Sequence, residues 1–249
     1  MFENADLYNA DCMVAMKEFP DKFFDLAIVD PPYGIGVMTM NYTTSGAQRM
    51  GYGHMAATRR DYRKQGQWDV KPGKEYFDEL FRVSKNQIIW GGNYFADMLP
   101  PSKSFVVWDK RVHDNCRNDF SDCEYAWMSN GMGVARVYRF LWNGMLQGNM
   151  KEKEDRFHPT QKPVSLYLWL LENYAKPGFK ILDTHAGSAS SLIACHRAGF
   201  DGWGFEIDAE YYAKAKERLE TERNQINMFD MMKGAEIDEN EPGHNGVGA

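Results

Sequence analysis

The sequence predicts an α/β fold, a mostly parallel sheet with helices on both faces. Two observations lead to it. Short β-branched and apolar runs alternate along the chain with stretches of helical periodicity, and the run Leu26-Ala27-Ile28-Val29 is apolar at every position. A strand with one wet face alternates apolar and polar residues. An unbroken apolar run fits a strand covered on both sides, as in parallel sheets. Strand–helix alternation supplies the crossovers that do the covering.

The elements follow in order. The strand at 26–29 is stopped by Asp30-Pro31-Pro32, since proline fixes φ and has no N–H to give to a ladder. Further strands are expected at 87–90, 104–108, 124–128 and 134–141. Near the end, Lys180-Ile181-Leu182-Asp183 is a strand, 188–197 a helix and 202–207 a strand. Asp208 is placed to cap a final helix reaching about Glu222. Residues 34–73 show no clean period and are rich in Gly, Met, Tyr and Arg, as in a functional lid or insertion. The stretch after about Met232 lacks an apolar face, and disorder is expected there. The reading is thus one domain over 1–232, with an insertion at 34–73 and an acidic, disordered tail at 233–249. There is no internal repeat.

With 249 residues, 43% of them hydrophobic and 26% charged, the chain has an ordinary globular composition. No apolar stretch is long enough to span a bilayer. The first residues, Met1-Phe2-Glu3-Asn4-Ala5-Asp6, lack the basic and apolar regions of a signal peptide, so a cytoplasmic location is expected. The four cysteines, Cys12, Cys116, Cys123 and Cys195, have no zinc or redox spacing, and no metal site is expected. The net charge of −6 argues against indiscriminate nucleic-acid binding. Two stretches are nonetheless basic. One holds Arg49, Arg59, Arg60, Arg63 and Lys64, interleaved with Tyr42, Tyr52, Tyr62 and Trp68. The other holds Lys103, Lys110, Arg111 and Arg117. Either suits phosphates, with Arg49, Arg59, Arg60, Arg63, Lys64, Lys110 and Arg111 as the candidate contacts.

Ligands of open parallel sheets bind at the carboxyl ends of strands. Two such ends are unusual here. Asp30-Pro31-Pro32-Tyr33 offers a carboxylate, carbonyls without neighbouring amide donors, and an aromatic face, which suits acceptance of hydrogen bonds from a ligand amine. Leu182-Asp183-Thr184-His185-Ala186-Gly187-Ser188 is a strand followed by small residues opening a helix, which suits close approach by a cofactor. A single glycine disfavours a dinucleotide. Glu206, at the end of the next strand, lies at the distance of a ribose-binding carboxylate.

Together these residues resemble the DNA amino-methyltransferases, which modify adenine N6 or cytosine N4. Asp30-Pro31-Pro32-Tyr33 matches their catalytic motif. The lead-in from Asn9-Ala10-Asp11-Cys12, the segment His158-Pro159-Thr160-Gln161-Lys162-Pro163, the loop from Asp183, and the strand at Glu206 match in order. A catalytic motif that precedes the cofactor loop resembles the β group, whose sheet is the methyltransferase sheet entered at a different strand.

The resemblance implies S-adenosylmethionine as cofactor. It places Asp11 and Cys12 near the cofactor's adenine, and His158, Thr160 and Lys162 near its methionine end. Asp30, Asp183, His185, Ala186, Gly187, Ser188 and Glu206 complete the cofactor site. It further implies double-stranded DNA as partner and base flipping, in a restriction-modification setting. Asp at the first motif position tilts the target toward adenine N6, since Ser is commoner there in cytosine-N4 enzymes. Cytosine N4, a non-catalytic DNA-binding subunit and a homodimer stay open. His185 and Ala189 depart from the family, which often has Phe and a second Gly there.

Overall fold

The computed structural model describes residues 2–35, 69–111, 121–143, 146–149, 151 and 153–238, without the side chains of 226–238. Its centre is an eight-stranded sheet in the order β1-β10-β9-β2-β3-β5-β4-β6. The strands are β1 (Leu7–Asn9), β2 (Phe24–Val29), β3 (Ser84–Trp90), β4 (Phe105–Asp109), β5 (Cys123–Met128), β6 (Arg136–Arg139), β9 (Lys180–Asp183) and β10 (Asp201–Glu206). A two-stranded ribbon, β7 (Trp142–Asn143) and β8 (Leu146–Gln147), stands apart from the sheet. Strands β1, β10, β9, β2 and β3 run parallel. Strand β5 is reversed against both β3 and β4, and β6 is parallel to β4. The mostly parallel sheet is therefore as expected.

The unbroken apolar run in β2 has its explanation in two cores. Leu26 and Ile28 face one core, with Ile88, Trp90, Leu170 and Ile193, while Ala27 and Val29 face the other, with Phe77, Leu80 and Ile89. Because successive strand residues point to opposite faces, a strand covered twice has no polar position to spare. Helices α3 (Val164–Tyr174), α4 (Ser190–Ala198) and α5 (Ala209–Asp238) cover the first face, and α1 (Cys12–Met16) and α2 (Lys74–Val83) the second.

Some boundaries differ from expectation. Helix α4 begins at Ser190 rather than 188, because Ala189 takes a left-handed backbone (φ 59°) at the cap. Asp208 does cap α5, with Oδ1 accepting from the amides of Glu210 at 2.9 Å and Tyr211 at 3.0 Å. The helix runs to Asp238, well past Glu222, so 233–238, expected without structure, is helical. Residues 223–238 contain no Pro and one Gly, so helix propensity suffices without a strong apolar face. Residues 36–68 of the expected lid and 239–249 of the tail lie outside the described residues. No helix among the described residues is long and apolar enough to cross a membrane.

Candidate active site

Strands β2 and β9 are neighbours, paired Leu26 to Ile181 and Ala27 to Leu182. From β2 the chain winds outward to β3, and from β9 it winds the other way to β10. That reversal opens a crevice beyond the carboxyl ends of the two strands. Asp30 follows β2 and Asp183 ends β9, so the two unusual strand ends lie side by side.

On the β2 side, both oxygens of the Asp30 carboxylate accept a hydrogen bond. Its Oδ1 accepts from the Tyr33 hydroxyl at 2.6 Å, and its Oδ2 accepts from the Lys162 ammonium. Tyr33 is wedged, with Tyr94 stacked on its ring at 4.7 Å and Phe95 edge-on at 6.0 Å. Gly91 passes beneath with φ +68°, and a Cβ there would lie 2.2 Å from Tyr33 Cε1. Trp90-Gly91-Gly92 therefore lets the backbone turn tightly against the aromatic ring.

Lys162 is the hub. Its side chain is 4% exposed, and its Nζ also lies 3.2 Å from Glu124 Oε2 and 5.5 Å from the Trp90 ring centre. Glu124 Oε1 accepts from Lys110 at 3.1 Å. Burial disfavours the Lys162 ammonium, but Asp30 and Glu124 outweigh it and hold the pKa above the usual lysine value. Burial pushes the Asp30 carboxyl up, with Lys162 opposing. Burial also raises Glu124, but Lys162 and Lys110 win and hold it below its usual value. Lys162 is thus a buried ammonium shared by two half-buried carboxylates.

The segment carrying Lys162 is pinned at several points. Gln161 accepts at its carbonyl from Trp142 Nε1 at 2.8 Å. His158 packs edge-on to Tyr211 at 4.3 Å. The Glu154 carboxylate accepts from the Val164 amide at the start of α3 and from Arg218 on α5.

On the β9 side, the Gly187 amide donates to Glu206 Oε2 at 2.9 Å, and the Asp208 amide to Oε1 at 2.9 Å. Burial nevertheless raises Glu206 to about 7, and Asp183 to about 6 although Ser191 and the His185 amide donate to it. His185 is set by Thr184, whose Oγ1 is 2.9 Å from its Nδ1, and by Tyr76 edge-on at 5.4 Å. Cys12 Sγ is 4.0 Å from His185 Nε2, and burial pushes its thiol up to about 12. Burial lowers His185 to about 4 and His158 to about 3, so both rings are neutral at pH 7. Thr160 Oγ1 lies 3.2 Å from His158 Nδ1, and a Cβ on Gly187 would lie 3.3 Å from the same ring. Asp11 caps α1, with Oδ1 accepting from the Met13 amide at 2.7 Å.

Asp30, Tyr33 and Lys162 are thus brought together beyond β2, and His158, Thr160, Gly187 and Glu206 beyond β9. The expected DNA contacts fare differently. Lys110 is paired inward with Glu124, and Arg111 is paired with Asp109 at 3.1 Å and Asp122 at 3.8 Å. Their charges are matched within the chain, which disfavours a phosphate-binding role for either. Arg49, Arg59, Arg60, Arg63 and Lys64 lie outside the described residues. Sequence reasoning missed Glu124 and Tyr94. A charge inside the otherwise apolar-aromatic strand Cys123–Met128 is the signal for the first, because a buried charge needs a partner. Tyr94 has no such signal.

Comparison with known proteins gives likenesses of sequence and of fold. The N6/N4 DNA methylase family model matches residues 108–217. The type II methyltransferase M.HpaI of Haemophilus parainfluenzae is 23% identical over 241 residues, 89% of this chain and 76% of its own. The type II methyltransferase M2.DpnII of Streptococcus pneumoniae is 36% identical over 149 residues, 58% of this chain and 53% of its own. The S-adenosylmethionine complex of TTHA0409 from Thermus thermophilus, titled a putative DNA modification methylase, superposes with a TM-score of 0.51 at 18% identity, covering 87% of this chain and 95% of that one, a likeness of fold. With the two unusual strand ends side by side on that fold, the chain is similar to the N6/N4 DNA methylases, whose family model matches somewhat under half of its length.

Proposed function

We propose that the chain transfers the methyl group of S-adenosylmethionine to the N6 amine of adenine in double-stranded DNA, with the target base flipped out of the helix. One observation carries the reading. The Asp30 carboxylate, at the mouth of the sheet's crevice, already accepts a hydrogen bond from a protonated nitrogen, that of Lys162. A pocket built to hold an N–H donor at that oxygen suits a base amine.

The β9 side fits the cofactor. Glu206 offers a buried carboxylate to ribose hydroxyls, and Gly187 keeps the loop open beside the His158 ring. Asp11, Cys12, Asp183, His185, Ala186 and Ser188 would line the nucleoside side, and His158, Thr160 and Lys162 the methionine side. When bound, the cofactor supplies an electrophilic methyl on sulfonium. The chain's own work is placement. Asp30 and the Pro31 carbonyl accept from the amine and localise a lone pair otherwise spread into the ring. Held geometry of this kind contributes up to about 7–11 kcal/mol of a barrier. Pro32 stiffens the turn. Tyr33, held by Tyr94 on one face, offers the other to the base. Residues 34–73, with Arg49, Arg59, Arg60, Arg63 and Lys64, supply phosphate contacts, and the fold works as a single domain in the cytoplasm.

The test is methylation-aware sequencing and nucleoside mass analysis of DNA from cells expressing the chain, beside Asp30→Ala. N6-methyladenine at a defined site, absent with the folded variant, is expected. N4-methylcytosine would overturn the adenine assignment, and full activity of Asp30→Ala would overturn the mechanism.

A further inference from the structure

Each oxygen of Asp30 already holds one donor. Oδ1 holds the Tyr33 hydroxyl, and Oδ2 holds the Lys162 ammonium. An amine that arrives at either oxygen competes with the donor already there. Tyr33 is held by Tyr94 and the Gly91 turn, and its hydroxyl has no second hydrogen-bond acceptor among the described residues. Lys162 has one. Glu124 Oε2 lies 3.2 Å from the same Nζ, is buried, and forms no hydrogen bond of good geometry. The other oxygen of Glu124 accepts from Lys110, and Lys162 already lies within reach of Oε2.

We propose that Glu124 is a positioning residue that receives the Lys162 ammonium when the substrate amine takes its place on Asp30 Oδ2. Lys162 is then a placeholder. It keeps Asp30 paired, and it yields by a short swing of Nζ between two carboxylates. No bond is made or broken beyond hydrogen bonds, and the Lys162 ammonium stays paired throughout. An unpaired buried charge is what makes such clusters costly, and the second carboxylate spares Lys162 that cost. Lys110 competes with Lys162 for Glu124 and so sets how firmly the ammonium is drawn off Asp30. The inference rests on the reading of Asp30 as the amine acceptor.

The opposed roles of Glu124 and Lys110 supply the test. Single-turnover methyl transfer is measured at saturating DNA and S-adenosylmethionine for the wild type, Glu124→Gln, Glu124→Asp and Lys110→Met, with cofactor affinity followed by calorimetry. Glu124→Gln should transfer roughly tenfold or more slowly with cofactor affinity unchanged, because Lys162 then stays on Asp30. Glu124→Asp should recover most of the rate. Lys110→Met should be as fast as the wild type or faster. Wild-type speed in Glu124→Gln, no recovery in Glu124→Asp, or an equal loss in Lys110→Met would overturn the exchange and reduce the cluster to a structural one. If Glu124→Gln fails to fold, Lys110→Met decides, and a roughly tenfold loss there overturns the exchange. A wild type that transfers no methyl to DNA sinks the methyltransferase reading instead, and the exchange with it.

Discussion

Replacing Gly91 by Ala tests whether the turn after β3 exists to hold Tyr33. Gly91 has φ +68°, and its added Cβ would sit 2.2 Å from Cε1 and 2.5 Å from Cζ of Tyr33. Two costs combine. A left-handed backbone costs a residue with a Cβ about 1–2 kcal/mol. Forcing a carbon into a filled space costs about 1–3 kcal/mol. The ring cannot slip aside cheaply, because its hydroxyl is bonded to Asp30 and Tyr94 and Phe95 pack against it. The sum is about 2–5 kcal/mol, and the ring's displacement breaks its bond to Asp30. Gly178 is the control. It has φ +84° with nothing within 4 Å of its Cβ position, so Gly178→Ala carries the backbone cost alone. Urea unfolding of both variants isolates the clash, and methyl transfer reports the site. If Gly91→Ala matches Gly178→Ala within experimental error and turns over like the wild type, then Gly91 does not hold Tyr33 and the reasoning fails.

Two further outcomes follow from the cofactor loop. Ala189 sits at φ 59° at the start of α4, so Ala189→Gly should stabilise the chain by about 0.5–1 kcal/mol, the backbone relief less the added freedom of the unfolded chain. Equal or lower stability in chemical denaturation would contradict this. Glu206 is raised by burial from 4.5 to about 7 in the ligand-free chain. A carboxyl with a raised folded pKa contributes stability that is complete below its unfolded pKa and is lost as pH rises through the folded one. The unfolding free energy of the wild type minus that of Glu206→Gln should therefore fall between pH 4.5 and about 7, by on the order of 3 kcal/mol, and level off above it. A difference that stays flat across that window would show that Glu206 is not buried as the crevice requires.

What could be read without coordinates was whatever depends on neighbours along the chain. The apolar run at 26–29, the prolines after Asp30 and the capping carboxylate of Asp208 act locally, so β2, its abrupt end and the start of α5 were legible. So were the two strand ends as candidate sites, because each is a short motif. The helices α2 and α3 were not foreseen, and the reach of α5 to Asp238 was underestimated by a search for an apolar face. Tertiary structure decided which residues meet. Lys162 and Asp30 are 132 positions apart, and Glu124 is remote from both. Their contact depends on β9 lying beside β2 and on β5 entering the sheet reversed beyond β3. Lys110 shows the limit of counting charges, because its ammonium turns inward to Glu124. The sequence by itself determined the elements and the chemical groups. The order of strands, a long-range property set by which buried faces pack together, decided that two carboxylates would share one ammonium.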